Sequence, residues 1–147
     1  MSTYSFMDVT ASLTGPHGVI DFGAGSANSE EGITVAMKAE KNTMTEGIDG
    51  EVMHSMNPSK TGTITVNLLK SSPVNKKLSL AYNAQTLSSA TWGRNSITIR
   101  NTSSGDVISA RAVAFQKLPD NKNAKEGGTV AWVFDCGKID QVWGVFN

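Results

Sequence analysis

One cysteine, two histidines and four prolines are spread through 147 residues, and each scarcity removes a class of protein. The single thiol, Cys136, forms no internal disulfide, so the fold is no disulfide scaffold. Cys136 ends the apolar run Val130 to Cys136, where a small buried hydrophobe is expected rather than a nucleophile. His17 sits in a Gly-Pro turn and His54 in a methionine-rich stretch, and neither has the third ligand needed to make a metal site with Cys136. Adjacent Glu30 and Glu31 point to opposite faces if they lie in a strand, so no two carboxylates are placed for acid and base roles. Gly23-Ala24-Gly25-Ser26-Ala27-Asn28 begins like a phosphate loop but lacks the Lys-Ser/Thr pair and a following helix. No catalytic residue, metal or cofactor is expected.

Long apolar runs and excess charge are missing too. No stretch approaches the roughly 20 apolar residues of a membrane span. The first twenty residues hold no Lys or Arg and no apolar core, so no secretory signal is expected and the chain is read as made and kept in a cytoplasm. Thirteen basic residues balance thirteen acidic ones, which leaves no net field to hold a nucleic acid by counterion release. Trp92, Trp132 and Trp143 with Arg94 and Arg100 suggest base stacking in an oligonucleotide-binding barrel, but the neutral charge and the core-like position of Trp132 weigh against it. The zero sum is uneven: residues 1–50 carry seven acidic and two basic side chains, and the remaining 97 carry six acidic and eleven basic. If those halves expose different faces, copies associate head to tail and make rings or filaments; if they interleave, the charges mix on one surface.

What is present is a strand-and-turn composition. Ser, Thr, Asn and Gly fill 55 positions, and charged residues are only 18%. One domain is expected at this length. Period-two alternation marks Met7, Val9, Ala11 and Leu13 as one strand face, with others in Ile33 to Met37, Thr63 to Leu68, Ser96 to Arg100 and Val130 to Cys136. Residues 106–117 read as a long strand covered on both faces, with Val107, Val113 and Phe115 on one side and Ile108, Ala110, Ala112 and Ala114 on the other. Turns at Gly15 to Gly18, Asn57 to Lys60, Thr102 to Asp106 and Glu126 to Gly128 make successive antiparallel strands. One helix is expected over about 73–84, capped by Ser71 or Ser72 with Pro73 at its first position and Val74, Leu78, Ala81 and Tyr82 on one side.

Residues 41–57 fit a hairpin with its tip at Gly47 to Gly50. Its apolar residues are mostly Met, which adapts to varied surfaces. Two readings stand: a hairpin packed on its own core, or an arm that docks on another subunit.

Glu31-Gly32-Ile33-Thr34-Val35, Glu40-Lys41-Asn42-Thr43-Met44-Thr45, Val66 to Pro73, Tyr82-Asn83-Ala84-Gln85-Thr86 and Ala124 to Gly128 occur in an order and spacing that resembles the tail tube proteins of contractile-tailed bacteriophages, from about Tyr4 to Gly144. Where that family often has Arg, this chain has Asn67. The resemblance implies a mainly β chain, an antiparallel β-sandwich or barrel with one flanking α-helix. Six copies would close into a ring and rings would stack into the inner tube of the tail, with sheath, baseplate and terminator proteins as partners and double-stranded DNA passing without specific binding. It implies a virion tail protein, assembled in the host cytoplasm, that is not an enzyme. Asn42, Thr43, Met44, Thr45, Glu46, Asp49, Met53 and His54 are then the candidate inter-subunit arm. Thr34, Thr63, Thr65, Asn67, Ser96 and Thr98 are the candidate lumen face, with the acidic residues of the first fifty a second candidate. A type VI secretion or pyocin-like tube is the nearest alternative, and a small β-barrel ligand-binding module a more distant one.

Overall fold

A computed structural model describes residues 2–26 and 28–146, with Ser29, Glu30 and Glu31 described by backbone alone. After a single 3-10 turn at Phe6–Asp8 come strands β1 (Val9–Gly15), β2 (Gly18–Asp21), β3 (Asn28–Met37), β4 (Asn42–Glu46), β5 (Val52–Met56) and β6 (Gly62–Leu69). Helix α1 (Val74–Gln85) follows, then β7 (Asn95–Asn101), β8 (Asp106–Phe115) and β9 (Thr129–Val142). Seven strands form one antiparallel sheet in the order β2-β1-β7-β8-β9-β6-β3, and β4 with β5 forms a separate two-stranded ribbon.

Alternation decides which side of the sheet is dry. In β6, Ile64, Val66 and Leu68 are fully buried while Thr63, Thr65 and Asn67 are not, and across the ladder Ile64 faces Phe134 and Val66 faces Trp132. In β1 and β7 the buried pairs are Ala11 with Ile99 and Leu13 with Ile97. The sheet curls so that its two ends share this core. Phe22, just past β2, stacks on Phe134 of β9 at 6.3 Å, and Phe115 packs on Phe134 at 5.0 Å. Each of these fully buried phenylalanines contributes about 1.5–3 kcal/mol by leaving water. Helix α1 closes one end by burying Val74, Leu78, Ala81 and Gln85, and Tyr82 meets Phe115 edge to face at 5.6 Å. Pro73 already has helical dihedrals, and the Ser72 hydroxyl accepts the Val74 N–H at 3.3 Å while donating to the Ser26 carbonyl at 2.6 Å. That one side chain caps the helix and ties it to the loop after β2.

Two expectations need correction. Met7 belongs to the 3-10 turn and is 78% exposed, so the opening core face begins at Val9. Strand β8 is not covered on two faces in strict alternation. Ala110 and Val113 are both fully buried although three residues apart, because β8 holds one extra residue against β7 between the pairs Ile97–Ala110 and Asn95–Val113. Ala112 takes φ 53° at this bulge. Strand β9 turns in step, burying Cys136 and Ile139, also three apart, around Gly137. A Cβ on Gly137 would stand 2.9 Å from the Ala112 Cβ, so glycine is required where the two bends face each other. Ala110, Val113 and Phe115 therefore share the core, and Val107 and Ala114 lie outside it.

Candidate assembly surfaces

The β4–β5 hairpin is set apart from the body. Residues 38–56 are all exposed, including Ile48 at the apex, Met44, Val52, Met53 and Met56. It prolongs the β3–β6 ladder: Met37 pairs with Gly62, the Lys38 N–H donates to the Thr61 carbonyl, and after a one-residue slip the Asn57 N–H donates to the Lys41 carbonyl and Asn42 pairs with Met56. At the apex the Glu51 N–H donates to Asp49 Oδ1, and Gly50 supplies the φ of 89° that the turn needs. Asn42, Met44, His54 and Glu46 share one face of the ribbon, where Asn42 Nδ2 lies 3.2 Å from His54 Nδ1, and Thr43, Thr45 and Met53 share the other. Asp49 belongs to the turn.

The six polar residues singled out as a lumen face fall on two patches of the sheet's outer side. Thr34 lies opposite Thr65, and Thr63, Thr65 and Asn67 lie opposite Asp135, Val133 and Ala131. On this β3–β6–β9 patch Asp135 is the one charge among the described side chains of the paired residues, and Gln116 Nε2 donates to it at 3.3 Å. Ser96 and Thr98 are two strands away, opposite Thr14 and Ser12. Their surroundings carry more cations than anions: Arg100 precedes the turn into β8, Arg111 faces Lys138, Asp140 is held by Lys60 at 2.9 Å and Arg111 at 3.3 Å, and Asp21 lies opposite Ser12. The Lys60 hydrogen bond, opposed by some desolvation, lowers the Asp140 carboxyl below its ordinary range. Glu30 and Glu31, part of the second lumen candidate, lie outside the described side chains.

Among the described residues, strands β2 and β3 each pair on one side only, so both ends of the sheet keep a free edge. An apolar cleft of about 890 Å³ opens between β3 and the β1–β7–β8 side of the core, with Val35, Ile99 and Trp143 among its walls. Trp143 is 77% exposed, and Trp92, exposed more than a third, packs edge to face on Tyr82; the three tryptophans form no common stacking surface. Cys136 is buried, and desolvation with the neighbouring Asp135 carboxylate raises its thiol pKa to about 11, the opposite of an activated nucleophile. Among the described residues no group of three or more His, Cys, Asp or Glu side chains is placed to hold a metal, and no helix is long and apolar enough to cross a membrane.

The described sheet thus has two open edges and a ribbon outside its own core. A family model described as "Bacteriophage PhiTE tail tube protein" matches residues 1–144. The chain belongs to that family. As a phage tail tube family member it is a structural component of the virion tail and not an enzyme. Solved structures share the fold at far lower identity. A chain from the sheath/tube terminator of the PVC extracellular contractile injection system, in its extended state, aligns with a TM-score of 0.64 at 10% identity over 97% of this chain and 98% of its own. A chain from the PVC sheath-tube complex aligns with a TM-score of 0.60 at 10% identity, covering 96% and 92%. The tube-terminating cap of the anti-feeding prophage aligns with a TM-score of 0.58 at 8% identity, covering 98% and 93%. No curated protein matches the sequence.

Proposed function

We propose that this tail tube family member closes into hexameric rings that stack into the inner tube of a contractile tail, and that the tube is the conduit for double-stranded DNA. The reading rests on one juxtaposition: the sheet leaves one edge of β2 and one edge of β3 open while the outer face beside β3 is a threonine-rich wall with one described charge, Asp135. Free edges are hydrogen-bonding templates, and joining β2 of one copy to β3 of the next consumes both while carrying the sheet around a ring. A wall that passes DNA must not bind it. Thr34, Thr63, Thr65 and Asn67 therefore form the lumen surface in this reading, and repetition of Asp135 around the ring repels phosphate. The cationic Ser96 and Thr98 patch is excluded from the lumen on the same ground and faces outward, toward sheath protein. The β4–β5 hairpin is the arm that reaches an adjacent subunit, with baseplate and terminator proteins at the tube ends and assembly in the host cytoplasm.

Negative-stain microscopy of the concentrated protein should show rings or tubes with a central hole and sixfold averages. Monomers at every salt and protein concentration would count against the reading. The injection-system neighbours support one alternative, a tube that carries protein instead of DNA. Sheath genes beside capsid genes point to the phage tail, and sheath genes beside a secretion ATPase gene point to the alternative.

A further inference from the structure

We propose that the hairpin apex docks, Ile48 first, into a lysine-bearing groove between α1 and residues 116–128 of a second copy. This rests on the tube reading and names the surface that receives the arm.

Three observations meet here. The first is chemistry at the apex. Ile48 is fully exposed, and Glu46, Asp49 and Glu51 surround it in sequence, so the tip is an apolar point within an acidic collar. The second is the groove, of about 360 Å³, lined by Trp132, Val130 and Leu118 with two lysines, Lys70 and Lys76, against one acid, Asp120. Side-chain hydrogen bonds link its walls: Trp132 Nε1 donates to Asn75 Oδ1 at 2.9 Å, and the Lys70 ammonium donates to the Lys122 carbonyl and to Asn123 Oδ1 at 2.7 Å. Helix α1 contains two lysines and no acidic residue, so its surface complements the acidic collar.

The third observation is placement. The hairpin leaves the body at the Gly62 end of β6 and continues the strand direction outward, whereas the groove lies toward the Leu69 end, with Trp132 and Val130 level with Val66 and Leu68. Four to six strand residues, roughly 13–20 Å, separate Gly62 from the groove, and the apex lies a further strand length beyond Gly62 on the other side. The arm of one copy therefore cannot fill its own groove. Unlike surfaces at opposite ends of one strand produce a head-to-tail contact, which propagates as a stack instead of closing as a dimer. The projecting segment, residues 38–56, carries four acids and two lysines, and the receiving helix α1 two lysines and no acid.

The test mixes two variants, Ile48→Cys and Leu118→Cys, under oxidising conditions. The docking predicts a disulfide-linked heterodimer, and Ile48→Cys mixed with Val19→Cys, at the β2 edge, should give none. A second arm uses charge. Glu51→Lys and Lys76→Glu should each raise the concentration needed for sedimentable assemblies by roughly tenfold, the scale of a close interfacial charge pair, and combining both in one chain should restore it. Both positions are exposed, so circular dichroism should stay unchanged. If the unmodified protein sediments as large species but the heterodimer or the charge rescue is missing, the groove assignment is wrong and the tube reading stands. If the unmodified protein never assembles, the tube reading fails and takes this inference with it.

Discussion

The rolled sheet and the β4–β5 ribbon are both antiparallel strands with apolar side chains, yet they treat those side chains oppositely. In the sheet, Ile64, Val66, Leu68, Val113 and Phe134 have no exposed surface. In the ribbon, Met44, Val52, Met53 and Met56 are each at least half exposed. A ribbon of two five-residue strands is at best marginal alone in water, so its apolar side chains stabilise little within one chain. The residue choice agrees with that division. The core uses β-branched and aromatic side chains that hold one rotamer, and the ribbon uses methionine, which conforms to another surface. Substitutions should therefore cost stability in the body and assembly in the ribbon.

Phe134→Ala tests the body at its centre. The ring contacts Phe22 and Phe115 and is completely buried, so truncation should destabilise the monomer by about 3–5 kcal/mol, read from denaturant unfolding. Met44→Ala, on the ribbon, should stay within about 0.5 kcal/mol in the same assay. Equal losses at the two positions would mean that the ribbon packs on the body in solution.

The next effect concerns a buried polar pair. Asn95 Nδ2 donates to Gln85 Oε1 at 2.7 Å and to the Val113 carbonyl at 3.1 Å, and Gln85 Nε2 returns a bond to Asn95 Oδ1 at 2.9 Å. Both residues are at most 1% exposed, and the pair joins the end of α1 to the bulged part of β8 through β7. Asn95→Ala strands the Gln85 amide, and a loss of about 1–3 kcal/mol is expected. The double variant Gln85→Leu with Asn95→Ala should recover part of it, because the Gln85 amide is then no longer stranded and only the side-chain bond to the Val113 carbonyl stays lost.

Much of this architecture is legible in the order of residues. The β6 alternation, the Pro73 helix start and the 41–57 hairpin each follow from a local rule, and each lies where the rule puts it. The bend shared by β8 and β9 does not. Alanine gives no signal for a positive φ, so period two carried through Ala112 sorts Ala110 and Val113 onto opposite sides. The division of the polar face is hidden for another reason. Thr63 and Thr98 look alike in sequence, and only the strand order, which sets β8 and β9 between β6 and β7, shows that one has Asp135 for a neighbour and the other the Arg111–Lys138 cluster. The groove proposed to receive the apex combines side chains from Lys70 just past β6, from α1, from the loop at Leu118 to Asn121 and from β9, a convergence no short motif announces.

Cys136 offers a smaller effect with a defined pH window. Its thiol titrates at 9.0 when unperturbed and at about 11 in the fold, so the native state retains the proton over an interval in which the unfolded chain has lost it. The stability linked to this group is complete below pH 9 and declines as pH rises toward 11. Thiol reagents should accordingly label native protein slowly at pH 8 and denatured protein at once. Fast native labelling would show that the β6–β9 ladder opens, since Cys136 sits in it opposite Gly62.

The smallest effect on the monomer should accompany the largest excision. Removing Thr43 to Met53 leaves Asn42 joined to His54, so His54 and Ser55 become a two-residue loop between the surviving partners Asn42 and Met56. The bond from the Asn57 N–H to the Lys41 carbonyl and the Met37–Gly62 pair are kept, and no buried side chain is lost. Thermal melting followed by circular dichroism should match the full chain within a few degrees. Under the proposed assembly, sedimentable species should disappear, because the sheet edges would still join neighbours within a ring while nothing would project to the next. Unfolding of the shortened chain would place the ribbon in the core, and tubes of normal length would show that stacking uses another surface. Rings without tubes are the outcome that separates lateral joining through β2 and β3 from axial joining through the arm.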